Sequence, residues 1–129
     1  MTRRKANQLI AEKRGPLDLI FIDADKGVIP DYFARVLELY RRGTLIIVDN
    51  AVRNGAVADP ASTDPAVLGV RRFHQLPAAE RCVSAATIQT VGSSGYDGFT
   101  LALVIADLLP SSGAEAVRRS VRLAQSQIM

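Results

Sequence analysis

Several things are scarce or missing in this chain, and each absence narrows what it can do. One cysteine, Cys82, cannot close an intrachain disulfide, which suits a reducing, cytoplasmic setting. One histidine, His74, and no His/Cys cluster leave a structural zinc site without ligands. No apolar run approaches the ~20 residues of a membrane helix. The basic start, Met1 to Lys5, is followed by Asn7, Gln8, Glu12 and Lys13 instead of the apolar segment of a signal peptide. No G-x-G-x-x-G stretch lies between a strand and a helix, since Gly92, Gly95 and Gly98 fall in a hairpin pattern. There is no internal repeat and no low-complexity tract. The net charge of +3 is mild, and Arg118, Arg119 and Arg122 lack interleaved aromatics, so neither nucleic acid nor a membrane is an expected partner.

What is present describes a folded domain. With 129 residues, 48% of them hydrophobic and 22% charged, the chain can bury a core of its own. Ala6, Leu9, Ile10 and Lys13 share a helical face over residues 3–14, stopped by Gly15-Pro16. The apolar run Leu19 to Ile22, within a strand over 17–23, reads as a strand buried on both faces. Pro30 and Asp31 open a helix with Phe33, Val36, Leu37 and Tyr40 on one stripe, ended by Gly43. Residues 44–49 form a second buried strand, which makes a right-handed parallel βαβ unit. A polar loop, Ala51 to Asp64, leads to a helix with Val67, Val70, Phe73 and Leu76 inward and Pro77 at its close. Strands over 83–91 and 97–105, joined by Gly92-Ser93-Ser94-Gly95, predict an antiparallel hairpin. A linker, Pro110 to Gly113, and a basic helix over 114–128 complete the chain.

Both parallel strands end in acid, where open α/β sheets bind their ligands. Asp23 follows the first, and Asp49-Asn50 follows the second. Strands about 4.8 Å apart let these three oxygen donors converge on one ion, and hard oxygen ligands suit Mg²⁺, Ca²⁺ or Mn²⁺. The plain alternative is that the aspartates cap local turns. Lys26 beside such a cation is a candidate general base, because a nearby positive charge favours the neutral amine. Without a cation it is a solvated charge paired with Asp25 or Asp23. Of the remaining residues, His74 reads as a surface helix position, Cys82 as a packed apolar residue, and Tyr96-Asp97-Gly98 as part of the hairpin, with a place lining the site mouth as the alternative.

Five blocks then occur in order: Asp18-Leu19-Ile20-Phe21-Ile22-Asp23-Ala24-Asp25-Lys26, Leu45-Ile46-Ile47-Val48-Asp49-Asn50, Asn54-Gly55-Ala56-Val57-Ala58-Asp59-Pro60, Arg71-Arg72-Phe73, and Tyr96-Asp97-Gly98-Phe99-Thr100-Leu101-Ala102-Leu103. Over about residues 6–105 the series resembles the cation-dependent S-adenosylmethionine O-methyltransferases, the group of catechol and caffeoyl-CoA O-methyltransferases. The resemblance implies the C-terminal part of a Rossmann-like class I methyltransferase fold. It also implies methyl transfer from S-adenosylmethionine to a hydroxyl of a small phenolic or vicinal-diol acceptor. Asp23, Asp49 and Asn50 match the metal ligands, Lys26 the lysine at the reacting hydroxyl, Asp25 a cofactor-associated position, and Asn54 a substrate-contacting asparagine.

Departures from the family pattern shape the expectation. Arg53 stands where plant members carry a tryptophan, which favours an acidic acceptor over a plant phenolic. Ile29 replaces a tyrosine, and Gly43-Thr44 a Gly-Gly turn. The glycine-rich loop and ribose-holding acid of the family's N-terminal half have no counterpart here. Residues 1–106 therefore read as a partial O-methyltransferase domain and 107–129 as linker and basic helix, the first strand being an open edge that calls for a second copy or an N-terminal partner segment. Two other readings compete: a non-catalytic remnant serving as an oligomeric or interaction module, and a phosphotransfer domain with Asp23 as acceptor.

Overall fold

The computed structural model describes residues 14–23, 25–36 and 39–107, together with Arg4, Gln8, Leu9, Ala11 and Glu12. Four strands form one mixed sheet: β1 (Leu19–Ile22), β2 (Leu45–Asp49), β3 (Val83–Gly92) and β4 (Gly95–Val104), in the spatial order β1-β2-β4-β3. β1 and β2 run parallel, with Leu19 opposite Leu45 and Ile22 opposite Val48. β4 returns antiparallel beside β2, and β3 pairs antiparallel with β4 along its full length, joined by the two-residue turn Ser93-Ser94. The fold is thus α/β, with the expected parallel pair and hairpin both present.

One helical layer covers the sheet. A 3-10 turn (Lys26–Val28) leads into α1 (Ile29–Val36), and α2 (Pro65–Ala79) follows the long loop. Asp64 starts α2 by accepting from the Ala66 amide at 2.7 Å, with Pro65 at the position where a missing N–H costs nothing. Pro77 does not close this helix: it lies inside the last turn, which continues to Ala79. A proline there removes a single hydrogen bond near an end that frays anyway, so the turn survives. Ile29, Phe33 and Val36 of α1 and Phe73 and Leu76 of α2 pack onto Ile20, Ile22, Ile46, Val48, Ala102 and Val104. Phe33 and Phe73 meet edge to face, ring centres 5.5 Å apart. Tyr40, expected on the α1 stripe, lies in non-helical backbone beyond it.

The opposite face of the sheet corrects a sequence expectation. β1 is buried on one face only: Ile20 and Ile22 are inaccessible, whereas Leu19 is 57% and Phe21 49% exposed. Register places Leu45 and Ile47 of β2, then Leu101 and Leu103 of β4, on that same open side. An unbroken apolar run looks the same whether one or both faces are covered, and among the described residues only one is.

Of the helix expected over 3–14, Arg4, Gln8, Leu9 and Ala11 are helical, Glu12 is in a turn and Arg14 is non-helical, and the other positions lie outside the described residues. The linker from Pro110 and the basic helix over 114–128 also lie outside them. No helix among the described residues is long and apolar enough to cross a membrane.

Candidate functional site

The site forms at the carboxyl ends of β1 and β2. Ile22 pairs with Val48, so Asp23, just past the end of β1, and Asp49, the last residue of β2, follow neighbouring positions of the two strands. Both fall on the open-face parity of their strands, the side of Leu19 and Phe21 in β1 and of Leu45 and Ile47 in β2. Asn50 would point to the other face if β2 continued. Instead its backbone turns left-handed, φ 56°, and ends the strand. Asn is among the few residues that adopt this conformation at modest cost.

Lys26 sits one turn past β1 and is buried, with its Nζ donating to Asp23 Oδ1 at 3.1 Å. Asp23 itself is 58% exposed in its side chain. What holds the lysine there is a close approach of α2: a Cβ on Gly69 would lie 2.0 Å from the Lys26 carbonyl oxygen, so only glycine lets the helix press onto this turn. Asp25 is an exposed cap, accepting from the Gly27 amide at 3.0 Å and opening the 3-10 turn. The capping role weighed for Asp23 falls instead to Asp25, whereas Asp23 accepts from Lys26.

The loop after β2 is stitched to the start of β4. Arg53 and Asn54 both have φ 53°, and Gly55 φ 81°, a left-handed run that curls the chain back. Asp97 accepts from the amides of Val52 (3.1 Å), Arg53 (2.8 Å) and Gly98 (2.9 Å), and from the Asn50 side-chain nitrogen (3.2 Å). Asn54 exchanges two bonds with Tyr96, through its own amide to the Tyr96 carbonyl and through Oδ1 from the Tyr96 amide, each 3.0 Å. The Ala51 amide donates to the Gly98 carbonyl at 2.9 Å. Gly98 is required at that junction, because a Cβ would lie 2.3 Å from the Ile88 carbonyl oxygen. Burial alone would raise the Asp97 carboxyl; the hydrogen bonds from Arg53, Val52, Asn50 and Gly98 outweigh it and hold the group below the usual carboxylate range. On the far side of the loop Arg71 ties down its 3-10 turn, donating to the carbonyls of Val57 at 2.8 Å, Ala56 and Asp59.

The donor chemistry fits a divalent cation. Asp23 Oδ1 is engaged by Lys26, Asp49 Oδ1 by the Asn50 amide at 2.8 Å, and the Asn50 nitrogen by Asp97. Each of the three side chains retains one oxygen that bonds nothing among the described residues. Two carboxylates and an amide are hard donors that leave room for water or substrate. No cluster of three or more His, Cys, Asp or Glu able to hold a metal occurs among the described residues.

Sequence reasoning had singled out Asp23, Lys26, Asp49, Asn50, Arg53 and Asn54, and the fold brings them to one end of the sheet. Asp97, read as a hairpin residue with a place at the site mouth as the alternative, also ties the loop after β2 to β4, a role its place in the Tyr96–Leu103 block did not reveal. His74 is also corrected: it is half-buried, its Nε2 3.4 Å from Thr100 Oγ1, which in turn lies 2.8 Å from Thr87 Oγ1. Burial lowers its pKa from the usual 6.5. Cys82 is buried as expected, and its thiol lies 3.6 Å from the Tyr40 hydroxyl and donates to Glu80 at 3.2 Å. Burial first, and then this contact, raise the Tyr40 hydroxyl well above its usual range.

Comparison with known proteins gives a consistent result. A family described as O-methyltransferase matches residues 2–105. A catechol O-methyltransferase of Niastella koreensis is 50% identical over 97 residues, 75% of this chain and 44% of that protein. An O-methyltransferase of Bacillus cereus, solved in complex with SAH, superposes with a TM-score of 0.74 at 55% identity, covering 78% of this chain and 46% of the other. TomG of Streptomyces achromogenes, an O-methyltransferase of tomaymycin synthesis solved with SAM, gives 0.70 at 48% identity, covering 78% and 47%. The chain spans a little under half the length of these relatives.

Proposed function

The chain belongs to the O-methyltransferase family, and from that premise we propose that its acidic strand ends form the cation and acceptor half of a S-adenosylmethionine-dependent catechol-type methyltransferase. The observation that carries the reading is the parallel register setting Asp23 beside Asp49, with Asn50 turned back next to them. Similarity to a catechol O-methyltransferase supports a phenolic or vicinal-diol acceptor. The oxygen donor set supports Mg²⁺, Ca²⁺ or Mn²⁺ as the cation.

Asp23, Asp49 and Asn50 would hold the cation. When bound, S-adenosylmethionine would supply the electrophilic methyl group and the cation would acidify an acceptor hydroxyl. Lys26 Nζ, buried beside Asp23, would take the hydroxyl proton as a neutral amine, its own proton having left to solvent once a cation neutralises the Asp23 carboxylate. Asp25, on the exposed rim of the same turn, faces the cofactor, while Asn54 and Arg53 contact the acceptor from the loop after β2. A cation at Arg53 favours an acceptor that carries a negative charge.

The relatives are about twice as long, which supports completion of the cofactor pocket by an N-terminal segment or a second copy docking on the open sheet face. The one reduced thiol fits a cytoplasmic setting. The match to the O-methyltransferase family over residues 2–105 argues against a non-catalytic module and against phosphotransfer to Asp23.

The test is calorimetric titration of the chain with Mn²⁺ and S-adenosylmethionine, followed by methyl transfer to a catechol. Asp49→Ala should remove the cation-stimulated part of the turnover, and Lys26→Met should slow transfer by about 10²–10⁴-fold with cation binding retained. Cation-independent turnover in the wild type would refute the reading.

A further inference from the structure

The two oxygens of Asp97 do different work. Oδ1 gathers three backbone N–H groups, those of Val52, Arg53 and Gly98, and so pins the orientation of the carboxylate. Oδ2 receives the side-chain nitrogen of Asn50 at 3.2 Å. It is the NH₂ group of Asn50 that donates to this carboxylate, which has only oxygens to offer in return. The amide is planar, with nitrogen and oxygen on opposite sides of its carbon. Fixing the nitrogen therefore fixes the oxygen. Left alone, an amide at the strand end would present either atom to a ligand, and an NH₂ group cannot coordinate a cation.

We propose that Asp97 is the positioning residue for the third cation ligand: by accepting from the Asn50 amide nitrogen it commits the Asn50 oxygen to the cation held by Asp23 and Asp49. The inference rests on the cation-site reading above. It also accounts for a feature that the hairpin by itself does not need, namely an aspartate at the entry of β4 whose partners lie 44, 45 and 47 residues away in the chain. Groups that orient metal ligands from behind commonly contribute about 10–100-fold in metal affinity.

The experiment compares Mn²⁺ binding, by calorimetry and by the electron spin resonance of the free ion, in the full chain and four variants. Asp97→Asn keeps an oxygen for the three backbone amides but turns an NH₂ group toward Asn50, so the Asn50 amide must flip. Mn²⁺ binding should weaken about tenfold or more, and the Asn50 side-chain amide signals, assigned by their loss in Asn50→Ala, should shift without Mn²⁺ present. Two further variants separate positioning from charge and from structure. In an Asn50→Ala background Asp97→Asn should add no further loss, because nothing remains to be oriented. The exchange variant, Asp97→Asn with Asn50→Asp, restores both a donor-acceptor pair and a free oxygen, and should recover binding. An Asp97→Asn effect of equal size on the Asn50→Ala background, or no recovery in the exchange variant, overturns the proposal, as does unchanged binding in Asp97→Asn. If the wild type binds no Mn²⁺, the cation-site reading itself falls and this inference with it.

Discussion

His74 is the one side chain here whose ordinary titration range lies near neutral pH, and its environment sets a sign. It packs between Phe73 and Thr100, and burial lowers its pKa from 6.5 in the folded chain. Below pH 6.5 the unfolded chain takes up a proton that the folded chain resists, so stability falls as the pH drops from 6.5 through the folded value. Above pH 6.5 both states are neutral and the effect vanishes. His74→Gln should flatten that slope in thermal melts taken between pH 7 and 5, leaving the rest of the acid profile in place. Gly69 acts by what it lacks. Alanine there would drive a methyl into the Lys26 carbonyl, so Gly69→Ala should cost about 1–3 kcal/mol by urea denaturation. It should also displace Lys26 from Asp23 and slow transfer more than the stability loss explains.

At the scale of elements, α1 and α2 form one layer through the Phe33–Phe73 contact. Phe33 is fully inaccessible and touches both the sheet and α2, so Phe33→Ala should lower stability by about 3–5 kcal/mol, read from the shift in denaturation midpoint at unchanged slope. The βαβ unit was legible because its helix and strands carry different apolar periods, with turn residues between them. Leu45 to Val48 followed by Asp49-Asn50 announced a strand that ends at a ligand. The architecture of the following loop was not legible. Its left-handed residues Asn50, Arg53 and Asn54 are set by hydrogen bonds to residues 96–98, and no local pattern encodes a partner more than forty residues away.

For the whole molecule, the open sheet face has the largest consequence. Leu19, Phe21, Ile88 and Leu103 are each more than 40% exposed and, by register, lie on one side of the sheet. β1 is an edge strand on that same sheet. Contiguous apolar surface beside an edge strand drives association. Light scattering should therefore give a mass above that of a single chain, rising with concentration, and Leu19→Lys with Leu103→Lys should shift the protein toward monomer. Loss of association with the helical content intact would assign the contact to this face.

The residues by themselves determined the parallel unit, its two acidic strand ends and the family, because burial periodicity and strand-end chemistry are local properties. Only the tertiary structure decided that the described residues cover the sheet on one side, that Gly69 brings α2 onto the lysine turn, and that Asp97 faces Asn50. Those three depend on which surfaces meet, and contacts between distant segments are settled by the packing of the whole chain.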